Sequence, residues 1–331
     1  MLFFASVRMK KTSMLLSWIA SLTCLLAGHV FAAYPDKPIR LIVGSAPGGA
    51  PDVLMRTLGA QMSKQMGVPI VIENKPGASY VISTMDLVRS APDGYTLAYG
   101  NVVSLATNIS LLSKVPYSVE KDLTLIANAL RVVNLMVVNN DLPVNSVQEL
   151  IAYAQKNPGK VVFGSDGNGT TSHLGMEYFR SLAQIDLLHV PYKSAPAMLT
   201  DLMGGSVHVA LSNTPVSGPH VQSGRMRGIG ITDNKRSATF PMIPTVAEQG
   251  LAGYEVVAWG GLIGPANLPA EIVKRLNAEV LFALKNPELI EKFKSFGAEI
   301  SASSPEEFAE LSRRETAKWA EVIKRSGAKI D

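Results

Sequence analysis

The chain has 331 residues, of which 47% are apolar and 18% are charged, and its 31 basic side chains exceed its 27 acidic ones by four. This composition is typical of an ordinary soluble globular protein, and the small charge excess excludes a polybasic nucleic-acid surface. The length favours two lobes, because single hydrophobic cores rarely grow beyond about 250 residues.

The first 32 residues have the pattern of a secretory signal peptide. Three basic side chains precede an apolar run over residues 14–27, and small residues precede the expected cleavage after Ala32. A retained membrane anchor is the alternative, although the run is short for a span of ~20 apolar residues. Because Cys24 is the only cysteine, we expect an exported protein without disulfides or thiolate metal ligands.

Strand-like and helical segments alternate in the first part of the mature chain. β-branched runs predict strands, and amphipathic periodicity predicts helices. The predicted strands are Ile39–Gly44, Ile70–Asn74 and Tyr95–Tyr99, and the predicted helices are Asp52–Gln65 and Val81–Arg89. This alternation is typical of a parallel α/β layout.

A second alternating series follows the first. Its strands are predicted at Val161–Gly164, Leu187–Val190, Val207–Leu211 and Met226–Thr232, and its helices at Ser146–Gln155, Thr171–Leu182 and Ala195–Met203. Three helices with Pro near the first turn finish the chain, at Pro269–Leu284, Pro287–Phe296 and Pro305–Ser326.

Two long extended runs separate these series. One is Leu123–Val138, and the other covers residues 254–263. They imply that the chain leaves a first lobe, builds a second and returns, so we expect an α/β protein of two lobes joined by a two-strand hinge. The predicted lobes are 33–130 with 257–331, and 131–256. Such a hinge permits rigid-body closure on a ligand.

Two strand–loop–helix units contain Gly-rich loops, one over residues 44–50 and one over residues 164–172. Backbone N–H groups at a helix N-terminus attract carboxylate or phosphate, and both loops would lie at the carboxyl ends of strands, where ligands bind. Thr170, Thr171 and Ser172 add hydroxyl donors. Ordinary βα turns, with a hydroxyl that caps the helix, are the alternative.

Seven motifs occur in order along the mature chain: Tyr34–Arg40, Pro47-Gly48-Gly49, Glu73–Ala78, Ala91–Leu97, His189–Lys193, Asp201–Gly205 and Pro244–Gly250. Together they resemble the Bug family, the periplasmic substrate-binding proteins of tripartite tricarboxylate transporters. The resemblance covers nearly the whole mature chain. It implies a type II periplasmic-binding-protein fold.

The resemblance also implies a function. Such a protein works in the periplasm, captures a small carboxylate, and hands it to the permease subunits of a tripartite transporter. The ligands implied are citrate-like acids, dicarboxylates, acidic amino acids and aromatic acids. We expect a monomer without cofactor, metal or nucleic-acid partner. A ligand-sensing adaptor for a membrane signalling protein is the alternative.

The candidate ligand-binding residues lie in both lobes. Family members hold one carboxylate with the first loop and another with the second, which here implies Gly48, Gly49, Ala50 and Asp52, and Ser165, Gly169, Thr170, Thr171 and Ser172. Further candidates are Ser45, Tyr80, Asn101, His173, Ser212 and Asn213.

The sequence departs from the family pattern at three places, which together include five residues. Ser45 stands where an aromatic residue is common, and Ser79-Tyr80-Val81 stands where two glycines and an Asn are usual. Tyr80 therefore either replaces apolar pocket surface and stacks on a planar acid, or points into the lobe core. Ser212 stands where an Asp is common, which weakens the case for an amino group on the ligand.

The histidines and serines of the sequence disfavour an enzyme. The four histidines after the leader show no metal-ligand spacing, and no serine lies in a G-x-S-x-G elbow. A secreted hydrolase or isomerase is thus a remote alternative. We expect His173 to orient the second loop or pack on its helix. Asp52 is expected to tie N–H groups of the first loop, since direct ligand contact would require a cation.

Overall fold

The computed structural model describes residues 34–327. The predicted signal peptide, residues 1–32, lies outside this part of the chain. Tyr34–Asp36 belong to a separate unit with the residues before them, and the fold described below begins at Lys37. Its ten strands, β1–β10 in chain order, form one sheet with the path β2-β1-β3-β9-β4-β7-β5-β6, while β8 and β10 pair with β4.

The first section of the sheet has three parallel strands. These are β1 (Ile39–Val43), β2 (Ile70–Asn74) and β3 (Thr96–Asn101), with β1 in the centre. Helix α1 (Ala50–Met66) connects β1 to β2, and α2 (Val81–Val88) connects β2 to β3. The predicted parallel layout is therefore confirmed here, and the carboxyl ends of the three strands share one edge of the sheet.

Strand β4 (Leu123–Val138) passes from the first section into a second one. Up to Val133 it pairs antiparallel with β9 (Val257–Pro265), and from Asn134 onward it pairs with β7 (Val209–Asn213). Two irregularities interrupt its pairing with β9 before the change of partner. Such bulges bend a strand and increase its twist, so β4 can serve two differently oriented sections.

The second section repeats the parallel pattern. Strands β5 (Val162–Ser165), β6 (Leu188–Pro191) and β7 are parallel, whereas β8 (Arg227–Ile231) runs antiparallel to β4. The helices of this section are α5 (Val147–Lys156), α6 (Thr171–Ala183), α7 (Ala195–Met203) and α8 (Thr214–Gln222). One buried apolar cluster extends from Ile42 in the first section to Phe163 and Phe179 in the second.

The C-terminal elements return to the first section: α9 (Ala270–Ala283), α10 (Pro287–Ser295), β10 (Ala298–Ile300) and α11 (Pro305–Ser326). A capping box of Ser304 and Glu307 begins α11. Within this helix the Glu315 carboxylate accepts the indole N–H groups of Trp259 and Trp319, at 3.3 and 3.1 Å. This hydrogen bonding fixes α11 to β9, because buried indole N–H groups require acceptors.

Several short elements were not predicted from the sequence: a π-helical turn at Val103–Thr107, α3 (Asn108–Leu111), α4 (Val119–Asp122), α8 and β10. Each is too short to show a clear periodicity, and α8 contains Pro215 and Pro219, which are read as turn signals in a sequence. Among the described residues, no helix is both long and apolar enough to cross a membrane.

The connection after β2 makes a left-handed turn. Ala78, Ser79 and Tyr80 have φ angles of 43°, 49° and 69°. L-residues pay roughly 1–2 kcal/mol each in this region, where glycine is favoured. In this chain a large side chain occupies Tyr80 in spite of that cost.

Replacing Ser79 by Gly tests this strain. The Ser79→Gly variant should raise the free energy of unfolding by about 0.5–1 kcal/mol, since its backbone carbonyl still accepts the Asn108 amide. Urea unfolding of the two proteins measures the difference. Ser181→Gly, inside α6, is the matched control and should lower the free energy by about 0.5–1 kcal/mol. Destabilisation by Ser79→Gly would contradict the strain.

Candidate functional site

The first Gly-rich loop is tied by a buried carboxylate. Asp52 is 2% exposed, and its oxygens accept the Gly48 N–H at 2.9 Å, the Asn74 amide at 2.8 Å and the Arg56 guanidinium. Burial alone would raise the pKa of Asp52, but the hydrogen bonds from Arg56, Gly48 and Asn74 hold it below its usual range. As expected, Asp52 ties the loop, and its charge is paired with Arg56.

One polar atom of this loop has no partner. The Ser45 hydroxyl oxygen is buried and has no hydrogen-bond partner within the described residues. The Ser45 carbonyl accepts the second proton of the Asn74 amide at 3.0 Å, so the backbone is fixed while the hydroxyl is not. Buried hydroxyls usually have a partner, and a ligand oxygen would supply one here.

Tyr80 covers the end of β1. A Cβ at Gly44 would collide with the Tyr80 ring and with the Ser83 hydroxyl, so glycine is required for this close approach. Burial raises the pKa of the Tyr80 hydroxyl to about 12; the adjacent Asn101 side chain opposes the shift, and the charge of Asp166 adds to it. Tyr80 therefore lies against the carboxyl end of β1 and beside Asn101, the last residue of β3.

Asn101 organises the turn after β3. Its side-chain carbonyl accepts the N–H groups of Val103 and Ser104, both at 3.0 Å. The amide group of Asn101 thereby keeps a fixed orientation beside Tyr80. Asn101 is 6% exposed and Tyr80 is half-buried, and together they place polar groups at the carboxyl end of β3.

The second Gly-rich loop, between β5 and α6, is held mainly by its own hydroxyls. Thr170 caps α6: its hydroxyl donates to the Gly167 carbonyl at 2.7 Å and accepts the His173 N–H at 3.4 Å. The Ser172 hydroxyl donates to the Asp166 carboxylate and accepts the Asp166 N–H at 3.1 Å. The protons of both hydroxyls are therefore used within the loop, and Thr170 fulfils the capping alternative.

Other donors of this loop have no acceptor. Within residues 34–327, neither the Thr171 hydroxyl nor the N–H groups of Thr171 and Ser172 are hydrogen-bonded. These N–H groups occupy the first two helical positions of α6, where no intrahelical acceptor exists. They form an anion-binding geometry at the positive end of the helix dipole.

Three stacked aromatic rings pack against the second loop. His173 stacks on His189 with 4.2 Å between centroids, and His189 stacks on Phe163 at 4.6 Å. The His173 Nδ1 atom accepts the Gly169 N–H at 3.0 Å, and the His189 ring lies 2.7 Å from the Ser165 hydroxyl. His173 therefore orients the loop, in agreement with the sequence interpretation.

Both rings are held neutral. Burial is the main cause that lowers the pKa of His173 to about 4, and repulsion of its protonated form by Arg180 and by a protonated His189 adds to it; burial together with Arg180 lowers the pKa of His189 to about 4. Neutral imidazoles match the hydrogen bonds observed, because the Nδ1 atom of His173 must be an acceptor.

The remaining candidates lie at the end of β7. Ser212 is 3% exposed, and its hydroxyl has no partner in the described part of the chain. Asn213 pairs with Asn134 in β4, at the point where that strand enters the second section. Both residues share the sheet edge that carries the second loop.

Asp166 was missed as a candidate. It follows the last residue of β5, and its carboxylate accepts the Ser172 hydroxyl. The sequence analysis sought donors in this loop and did not consider an acidic residue among them. Arg56 and Asn74, which support Asp52, were also missed; Arg56 lies one turn further along α1, and Asn74 is the last residue of β2.

Three cavities lie outside these loops. One of about 840 Å³ lies between α11 and residues 109–125, and two of about 360 and 470 Å³ are elsewhere on the surface. None of the candidate residues lines any of the three. Among the described residues, no group of three or more His, Cys, Asp or Glu side chains could hold a metal ion.

Comparison with known proteins identifies the family. The profile of the tripartite tricarboxylate transporter family receptor matches residues 54–328. The chain belongs to this family. A relative, the protein BugT of Bordetella pertussis, is 33% identical over 298 residues, which are 90% of this chain and 91% of that protein.

Solved structures of similar proteins have the same fold. The R. palustris protein Rpa4515 with adipate has a TM-score of 0.79 and 34% identity, covering 89% of this chain and 98% of that one. MatC of Rhodopseudomonas palustris, with bound malate, has a TM-score of 0.76 and 28% identity, covering 88% and 100%. The predicted periplasmic-binding-protein fold is thus confirmed for this receptor.

The two threonines of the second loop should behave differently in this receptor. Thr170→Ala should lower the free energy of unfolding by about 1 kcal/mol, because the cap of α6 is lost. Thr171→Ala should leave unfolding within about 0.5 kcal/mol and weaken binding of a carboxylate ligand by about 1.5–3 kcal/mol. Urea unfolding and calorimetric titration measure the two effects. An unchanged affinity of Thr171→Ala would remove this donor from the site.

Stability should fall below pH 6.5. The pKa of His173 is about 4 in the folded protein and about 6.5 in the unfolded chain. Protonation below pH 6.5 therefore favours the unfolded chain, and this loss of folding free energy reaches its full size near pH 4. Between pH 7 and pH 5 this residue should cost about 2 kcal/mol.

The urea unfolding free energy at the two pH values measures this cost. His173→Asn retains an acceptor for Gly169 but does not titrate, so its pH dependence should be smaller by that amount. His220→Asn, outside the loop, is the control and should behave like the unaltered protein. An equal pH dependence of His173→Asn and the unaltered protein would refute the assignment.

Proposed function

We propose that this receptor works in the periplasm, captures a small carboxylate between two lobes, and delivers it to the permease of a tripartite transporter. The proposed lobes are residues 33–130 with 257–331, and residues 131–256. The family supplies the class of protein, and the leader pattern of residues 1–32 supports export.

One observation supports the proposal: each of the two sheet sections has a Gly-rich loop at the carboxyl end of a parallel strand, followed by a helix. The first presents the Ser45 hydroxyl, and the second presents the Thr171 hydroxyl with the first N–H groups of α6. The charge of Asp166 contributes to the raised pKa of Tyr80, which supports a position of the second loop near Tyr80. Donors on both sides suit an acid with oxygen atoms at both ends.

The hinge proposed for this capture is the pair of strands that joins the sections. Strand β4 changes partner at Val133 and Asn134, and the return path enters β9 at Val257. Rotation about these two segments would move the two loops toward or away from each other without unfolding either section. A permease could then distinguish the liganded receptor by its closed shape.

Acids of the kinds held by the structural neighbours support the ligand class. Adipate and malate are both small dicarboxylates. Backbone N–H donors recognise a carboxylate without specifying the carbon skeleton, so the proposal names the class. An aromatic acid that stacks on the Tyr80 ring belongs to the same class.

Isothermal titration calorimetry tests the proposal with a panel of four- to six-carbon dicarboxylates, their hydroxy and amino derivatives, and benzoate. At least one acid should bind with one site per chain. Its methyl ester should bind at least tenfold more weakly, since the ester loses the charge that the N–H donors attract. Equal affinity of acid and ester, or no binding across the panel, would refute the proposal.

A further inference from the structure

A polar cavity of about 360 Å³ lies where β4, β9 and α11 meet. Its walls come from these three elements and from the loop between β10 and α11, and no residue of either Gly-rich loop belongs to them. We call it the β4–β9 cavity. A ligand bound there would be separate from the carboxylate proposed above, so the inference below does not rest on the proposed function.

Two buried polar groups in the wall of the β4–β9 cavity lack a hydrogen-bond partner within residues 34–327. Asn128 is 2% exposed; its amide N–H donates to the Ser301 hydroxyl at 2.8 Å, but its Oδ1 atom accepts nothing. The Nε–H group of Arg131 also has no acceptor, although this guanidinium forms an ion pair with Asp233. Because buried polar groups are nearly always hydrogen-bonded, the two groups indicate a ligand that both accepts and donates hydrogen bonds.

Most acidic groups of the cavity are already used. The Glu315 carboxylate accepts two indole N–H groups and the Lys318 ammonium, and Glu307 closes the capping box of α11. Arg314 and Glu255, by contrast, make no hydrogen bond or ion pair through their side chains to any described residue. The uncommitted charges in the wall are therefore one guanidinium and one carboxylate.

The uncommitted groups specify the chemistry of a ligand. The donors are the Nε–H of Arg131, the Arg314 guanidinium and the Ser301 hydroxyl, whose proton has no acceptor in the described part of the chain. Guanidinium and hydroxyl donors suit the oxygen atoms of an oxyanion. The acceptors are Asn128 Oδ1 and the Glu255 carboxylate. An oxyanion without a proton would be opposed by both, whereas one that carries an O–H group can donate to them.

We propose that the β4–β9 cavity is a binding site for a small oxyanion that carries its own proton, of the kind that hydrogen phosphate represents. Arg131, Arg314 and Ser301 bind its oxygen atoms, and its O–H group donates to Asn128. The volume is at the lower end of the range for ligand pockets, which suits a small ion.

Calorimetric titration with inorganic phosphate and with sulfate at neutral pH tests the inference. The two ions have similar size and geometry, but only phosphate carries a proton under these conditions. Phosphate should bind the unaltered protein at one site per chain. Sulfate should bind at least tenfold more weakly, because it cannot donate a hydrogen bond to Asn128 or Glu255.

Two neighbouring arginines of α11 supply a matched pair of variants. Arg314→Gln removes a charged donor of the cavity and should weaken phosphate binding at least tenfold. Arg313→Gln makes the same change one residue earlier, on a side chain that lines a different cavity and pairs with Glu310, and should leave phosphate binding unchanged.

Asn128→Asp replaces the buried amide by a carboxylate of the same shape, and its negative charge should also weaken phosphate binding at least tenfold. Thermal melting shows whether each variant is folded. If Asn128→Asp does not fold, the comparison of Arg314→Gln with Arg313→Gln decides the question, because both of these side chains are exposed.

Three results would overturn the inference. The first is the absence of phosphate binding, and the second is equal affinity for phosphate and sulfate. The third is phosphate binding that Arg314→Gln weakens no more than Arg313→Gln does. Thr171→Ala identifies one cause of the third result: if it weakens phosphate binding and Arg314→Gln does not, phosphate binds at the N-terminus of α6 and not in the β4–β9 cavity.

Discussion

The whole structure depends on one strand that belongs to two sheet sections. Strand β4 is buried over most of its sixteen residues and pairs first with β9 and then with β7. Any slip in its register would move apolar side chains to the wrong face in both sections at once. The two bulges before Val133 bend the strand, which lets both sections keep their own packing while they share it.

The two Gly-rich loops are held in a fixed conformation by different interactions. Each follows a strand, begins a helix, and contains an acidic residue that accepts hydrogen bonds from its own loop. Asp52 is paired with Arg56 and acts as a structural tie, while Asp166 accepts the Ser172 hydroxyl and makes no ion pair within residues 34–327. The two loops therefore reach a fixed conformation through different partners.

Rigidity in the site comes from many small interactions within each loop. The second loop is fixed by hydrogen bonds of the Thr170 and Ser172 hydroxyls and of the His173 imidazole. The stacking of His173 on His189 adds to this support. On the other side, the left-handed turn positions the Tyr80 ring over Gly44 at a conformational cost. Strain of this kind is retained where surrounding packing fixes it, and it is common at ligand sites.

The sequence alone determined the order of secondary structure and the places where ligand contacts are expected. Leu123–Val138 was predicted with its observed bounds, because it is a long, mostly apolar run without the Pro or Gly that would interrupt a strand. The helices after each Gly-rich loop were also predicted, since capping residues and apolar periodicity are local signals. The leader pattern and the family motifs are also local signals, because each is read from residues that are neighbours in the sequence.

Only the tertiary structure decided which side chains meet. The Thr170 hydroxyl donates a hydrogen bond within its own loop, whereas the Thr171 hydroxyl does not. This difference depends on the backbone geometry of a single turn. The close approach of the Tyr80 ring to Gly44 joins residues 36 positions apart, and the pairing of Glu315 with two indoles joins α11 to β9. Periodicity carries no information about such long-range contacts, because they arise from the packing of whole elements.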